Sequence, residues 1–267
     1  MNLGSAAIVI RPRTTAEVLD LGCRVTLSLA LPLYLRIAAL VLVPAYAALL
    51  CLHYLLDFTW VETWCFAFPL AVWLEGPFTV AASRLLFADR ITARGTVRLF
   101  FARFWPYTMA LIVDAIAAMF IIPWPTGTYV TEATLLEQAS FTDARSRSSA
   151  LVRGRSVAPA LLGFMAMRAS LVIVAELLFQ AIVRDVFQLG EPFGTLWDDS
   201  GSPYALLGLL VAAPLVGTTR FLHYLDTRTR SDGWDIQVKF MSLVAREESA
   251  RRPSVEHERA DVRGRAA

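Results

Sequence analysis

Six ionisable side chains fall inside long apolar stretches: Glu75, Asp114, Glu132, Glu137, Arg168 and Glu176. A charge in hydrocarbon is costly, so each is a candidate for function. Two kinds of chemistry suit them. One is a proton or ion path in which an acid is alternately free and paired with Arg168. The other is structural pairing, in which polar groups join helices inside a bundle. Arg168 lies about eleven residues inside its span, too deep to snorkel to the surface. Glu137, Asp114 and Glu75 are its candidate partners, whereas Glu176 lies two turns further on, about 12 Å along the axis, and is out of direct reach. Acids outnumber bases at depth, so at least one should be protonated. In LEGPF, residues 74–78, Pro77 removes a backbone donor and biases Gly76 away from helical geometry, so a kink beside Glu75 is expected. Broken helices beside polar residues occur at transporter sites, and also as ordinary kinks.

The other chemically capable residues form no site. HYLLD (53–57) and HYLD (223–226) place His and Asp one helical turn apart, but the threading below puts the pairs on opposite membrane faces. They cannot share a metal, and interfacial histidines are the plain reading. Cys23, Cys51 and Cys65 have no metal or redox spacing. A disulfide between Cys51 and Cys65 is one reading, packing as small buried hydrophobes the other. DDSGS at 198–202 reads as a turn or cap before a helix, not a nucleophile elbow. Phosphate-loop, zinc-protease and dinucleotide motifs are missing. We therefore expect no catalytic residues, no metal, no cofactor and no nucleic-acid partner.

The elements that must position these charges are apolar. Hydrophobic residues make up 56% of the 267 and charged residues 18%, with a mean hydropathy of +0.52. Windows at Leu33–Leu56, Trp64–Phe87, Phe104–Pro123, Ala158–Val183 and Pro203–Leu222 approach or exceed the roughly 20 residues that span a bilayer. The fold class is all-α, a polytopic transmembrane bundle at residues 33–224. The opening MNLGSAAIVIRPRTT lacks the pattern of a cleaved signal, so the first span should direct its own insertion.

Arginine placement threads the chain, since short basic loops stay in the cytoplasm. Arg11, Arg13, Arg24 and Arg36 precede or open the first span, and the loop between Phe58 and Thr63 has no basic residue. Arg84, Arg90, Arg94, Arg98 and Arg103 follow the second span. Arg145, Arg147, Arg153 and Arg155 precede the window at Ala158–Val183, and the loop at 184–202 is acidic. Basic residues return from Arg220 onward. Both termini are thus expected inside.

That threading requires an even number of crossings between residues 103 and 144. Either TGTYVTEATLLEQASF (126–141) crosses back as a polar fourth helix, or it and its predecessor form a hairpin that dips in from the cytoplasm. Length permits crossing, because residues 126–144 as one helix reach about 28 Å. Glu132 and Glu137 oppose it, so such a helix needs shielding by apolar neighbours. Six membrane helices is the preferred count, and the reentrant hairpin the alternative.

Residues 1–32 form a cytoplasmic segment in which TTAEVLDLGCRVTLSLAL reads as an amphipathic helix, capped by Thr15. Arg11, Arg13, Arg94 and Arg98 should meet anionic lipid headgroups. Residues 225–267 form a cytoplasmic tail, and the charged stretch from about Glu247 should be disordered.

Three patches carry a resemblance. They are RPRTTAEVLD at 11–20; Glu137 followed by Ala144, Arg147, Ser148, Leu151, Val152 and Gly154; and YLDTRTRSDGWD at 224–235. In this order they resemble bacterial polytopic proteins labelled "glycerophosphoryl diester phosphodiesterase membrane domain", or YciC-like, of uncharacterised function. In that family the segment holding the matching glutamate is usually more apolar. The resemblance implies a membrane bundle, not the phosphodiesterase activity, which belongs to a separate domain fused to some members. The expected protein is a multi-pass component of a bacterial inner membrane, in contact with lipids and other envelope membrane proteins. It acts in assembly or as an accessory; the alternative is a transporter or channel subunit using the acids near Arg168.

Overall fold

The computed structural model describes residues 12–87, 92–119, 128–137, 139–153 and 156–232. Every regular element among them is helical. Four helices are long and apolar enough to cross a membrane: Leu31–Tyr54, Trp60–Leu86, Ala158–Val186 and Pro203–Ser231. Arg11, Gln138 and the stretch from Glu247 onward lie outside the described residues, as does the side chain of Asp114.

Helix α1 (Thr15–Arg24) begins with a capping box one residue earlier than expected. Thr14, not Thr15, accepts from the Glu17 amide, and the Glu17 carboxylate accepts from the Thr14 amide at 2.8 Å. The helix continues through a π-helical turn, Val25–Leu29, towards α2 (Leu31–Tyr54). Its buried stripe, Val18 and Gly22, packs on the last helix rather than on lipid. A Cβ on Gly22 would lie 2.1 Å from the Thr219 hydroxyl, so the approach requires glycine. On α2, Tyr34, Ile37 and Val41 face inward at helical spacing, while Leu35, Leu40 and Val43 are exposed.

The second span is broken. Helix α3 (Trp60–Trp73) starts at a Thr59–Glu62 capping box and ends before a turn at Leu74; α4 (Glu75–Phe87) then takes over. The cause is Pro77, whose ring would clash with the carbonyl of Trp73, four residues back. The expected kink appears as a one-residue break at Leu74, and it sets Glu75 in the first turn of α4.

Between the second and third long helices lie α5 (Ala93–Ala102), α6 (Phe104–Met119), α7 (Val130–Leu136) and α8 (Phe141–Val152). An edge-to-face aromatic stack of Trp73, Phe100 and Tyr107 pins α5 and α6 to the break in the second span. Helix α7 has only seven residues, about 10 Å, and α8 restarts from the Ser140 cap. The continuous helix expected over residues 126–144 is therefore not formed, and α7 alone is shorter than the roughly 20 residues that span a bilayer. Its threonines and Glu132 are buried in protein.

Helix α9 (Ala158–Ala181) runs through a π-helical turn, Ile182–Val186, and α10 (Pro203–Asp232) closes the fold. α10 is the central mast, packed against α1, α2, α3, α4, α8 and α9. Its span is 72% buried against 11% for that of α9, which makes α9 an outer helix. Gly208 touches the α9 backbone at Leu171, where a Cβ would fall 2.5 Å from the carbonyl oxygen. Small residues thus let these helices meet closely.

Candidate functional site

The site grows from the contact between α4 and α10. Gly217 lies against the Glu75 carbonyl oxygen, 2.8 Å from where a Cβ would stand, so the two backbones touch. Three residues on along α10, Arg220 therefore faces the Glu75 carboxylate, which is only 2% exposed. Arg220 Nη1 reaches Glu75 Oε2 at 3.4 Å, and its Nε donates to Glu132 Oε1 at 2.9 Å. Arg220 Nη2 also donates to the Thr131 hydroxyl at 3.0 Å and to the Thr128 carbonyl at 3.2 Å. The Thr131 hydroxyl in turn donates to Glu132 Oε2 at 2.7 Å.

The other oxygen of Glu75, Oε1, accepts from Arg168 Nη2 of α9. Two carboxylates and two guanidiniums thus share one buried cluster of no net charge, tying α4, α7, α9 and α10 together. Arg168 is paired, as expected, and Glu75 is the partner. Arg220, read from the sequence as the start of a basic tail, is instead at the centre of the cluster. Its signal was available, because it lies inside the apolar run that ends at Leu222.

Glu137 does not join this cluster. It closes a second one at the end of α7, paired with Arg147 of α8 and, at 2.8 Å, with Arg228 of α10; the Tyr224 hydroxyl also donates to it. Nearby, the Arg13 amide donates to Asp226 Oδ1 at 2.7 Å, and Arg230 donates to Asp226 and to the Arg13 carbonyl. The Tyr129 amide donates to Ser148 at 3.1 Å, and Leu151 and Val152 pack in the same apolar cluster as Tyr129 and Tyr224. Residues from the three sequence patches, remote along the chain, meet at one end of α10.

Glu176 stands alone at the other end of α9, fully buried. It accepts from Gln180 at 2.6 Å, from the Leu196 amide at 2.8 Å and from the Ser202 hydroxyl. Ser202 in turn accepts from the Ala205 amide at 3.0 Å, capping α10. DDSGS is thus a cap and turn, with Asp198 and Asp199 held by Thr195.

His223 meets the Tyr129 hydroxyl at 2.5 Å, while His53 contacts the Phe58 carbonyl and stacks on Trp60. Cys23, Cys51 and Cys65 carry free thiols, and Cys51 and Cys65 are exposed rather than packed. Arg94 and Arg98 are exposed on α5, whereas Arg13 is half-buried in its contacts with α10. Among the described residues, no group of three or more His, Cys, Asp or Glu side chains could hold a metal.

A cavity of about 250 Å³ adjoins the four-residue cluster. Leu111 of α6, Leu161, Phe164 and Met165 of α9 and Val216 of α10 form much of its apolar wall, and Arg168 and Arg220 are also among the lining residues. Glu75 and Glu132, each 2% exposed, are not. Comparison with protein-family models, curated proteins and solved structures returned no match.

Proposed function

We propose that the protein is a non-enzymatic component of a bacterial inner membrane, an assembly or accessory protein with both termini in the cytoplasm. In this reading α2 runs outward and α3–α4 inward. α5 to α8 stay at the inner face with α6 and α7 as a hairpin, and α9 and α10 complete the crossings. The charge asymmetry supports it: the turns after α2 and α9 carry Asp57, Glu191, Asp198 and Asp199, whereas α8 carries Arg145 and Arg147. The likeness to the YciC-like family belongs to the same proposal, and the meeting of its three patches at one end of α10 supports it.

The carrying observation is that Glu75 and Glu132 are taken up by Arg168 and Arg220, which lock four helices. Such a bundle presents an outer helix, α9, with Val174 and Leu177 exposed, to lipids and to membrane partners. Photo-crosslinking residues placed at these two positions in native membranes should give protein adducts of defined mass. Adducts with lipid alone would refute an assembly role.

One observation favours a second reading, a transporter or channel subunit: the cavity that reaches Arg168 and Arg220. On that reading an Arg168→Leu protein that folds normally loses solute or proton movement in proteoliposomes. On the assembly reading the substitution lowers stability and expression.

A further inference from the structure

The cavity beside the ion cluster presents an asymmetric electrostatic face. Arg168 and Arg220 are among its lining residues, whereas Glu75 and Glu132, each 2% exposed, are not. A group inside therefore meets two cations at contact distance and two anions only at longer range. Arg168 spends Nη2 on Glu75, and its side chain keeps 20% exposure, so guanidinium N–H groups remain that no described residue takes. An oxyanion placed against them would receive a charge-assisted bond.

The rest of the wall selects the body attached to such an anion. Leu111, Leu161, Phe164 and Val216 are apolar, and the wall ends at Met165 and Ala115, both exposed. On the membrane reading proposed above, Met165 belongs to the outermost crossing helix, α9, so access runs sideways from the hydrocarbon. Arg168 lies ten residues into α9, about 15 Å along its axis. A free hydrophilic ion would have to cross that apolar depth, whereas an amphiphile already dissolved in the bilayer would not. The volume, about 250 Å³, is below the roughly 300–1,000 Å³ of sites for drug-sized ligands. It accepts an oxyanion and the first carbons of its chain, with the remainder left in the bilayer.

We propose that this cavity binds an anionic membrane amphiphile, with a phosphate or carboxylate on Arg168 and Arg220 and an acyl chain leaving past Met165. The site is independent of whether the protein assembles or transports, because its readout is lipid binding alone.

The test uses the full chain, delipidated in detergent and titrated by native mass spectrometry with phosphatidylglycerol, phosphatidylcholine or inorganic phosphate. Phosphatidylglycerol should bind at least roughly tenfold more tightly than phosphatidylcholine, the value of one charge-assisted hydrogen bond. Arg168→Lys keeps a cation for Glu75 but removes the other guanidinium donors, and should abolish most of that preference. Met165→Trp leaves every ion pair untouched and should block the mouth, removing one tightly bound lipid while the looser lipids on Arg94 and Arg98 persist. Three results would each overturn the proposal. They are equal binding of the two lipids, unchanged stoichiometry in Met165→Trp, and inorganic phosphate competing as well as the lipid, which would mark a small-ion site.

Discussion

Replacing Arg220 by leucine should be the most damaging single change to the buried cluster, and the geometry sets its size. Arg220 serves Glu132 through two contacts, at 2.9 and 3.4 Å, Glu75 at 3.4 Å, and the oxygens of Thr131 and Thr128. Without it Glu75 keeps Arg168, but Glu132 keeps only the Thr131 hydroxyl and is a carboxylate 2% exposed. Leaving one such charge unpaired costs about 3–5 kcal/mol. Arg168→Leu should cost less, about 1–3 kcal/mol, since Glu75 retains Arg220 and what is lost is one charged hydrogen bond. The double variant Arg220→Leu with Glu132→Leu removes the orphaned charge and should recover part of the loss. The assay is reversible unfolding in one fixed detergent–lipid mixture, followed by tryptophan fluorescence. The reasoning is refuted if Arg168→Leu is as destabilising as Arg220→Leu, or if the double variant is no more stable than Arg220→Leu alone.

Gly208→Val should lower stability by about 2–4 kcal/mol, because the new side chain meets the Leu171 carbonyl and must push α9 off α10; the same unfolding assay reads it. Glu176→Gln should loosen the loop ahead of α10, which hangs on the bonds from Ser202 and the Leu196 amide. Limited proteolysis between residues 188 and 202 should then quicken severalfold while the melting point falls only slightly. In a chain with Cys23, Cys51 and Cys65 replaced by serine, Ser146→Cys should react with a membrane-impermeant maleimide only from the cytoplasmic side. Leu189→Cys should react only from the opposite side, and the reverse pattern would invert the threading.

The sequence made the long apolar helices legible because each needs only length and composition. Their bounds agree within a few residues at most ends, as with Ala158–Val183 expected and Ala158–Val186 observed. The break beside Glu75 was legible too, since a proline acts locally on its own helix. What escaped was Arg220. Charge counting takes an arginine near the end of an apolar run as the start of a loop, and it cannot see that Gly217 lets α10 drop onto the start of α4. The partner of Arg168 was narrowed to three acids but not chosen, because choosing requires the rotation of α4 about its axis. Glu132 and Glu137 look alike in the sequence, yet the end of α7 separates them into two clusters with different arginines.

That separation explains how so polar a stretch is accommodated at all. The threonines and acids of residues 128–137 would be prohibitive against lipid, and an isolated helix of seven residues would not hold together in water. Both difficulties end once α7 is wedged inside protein. Its acids meet Arg220 on one side and Arg147 with Arg228 on the other, and its hydroxyls find acceptors in Glu132 and in the carbonyl of Val130. The polar residues are therefore what fixes α7 in place, packed against α4, α6 and α8. It follows that exchanging Thr131 and Thr134 for valine, a gain in hydrophobicity, should weaken the fold rather than strengthen it. The substitution deprives Arg220 of an acceptor and Glu132 of a donor. A rise in stability on that exchange would show that α7 faces hydrocarbon, contrary to its burial here.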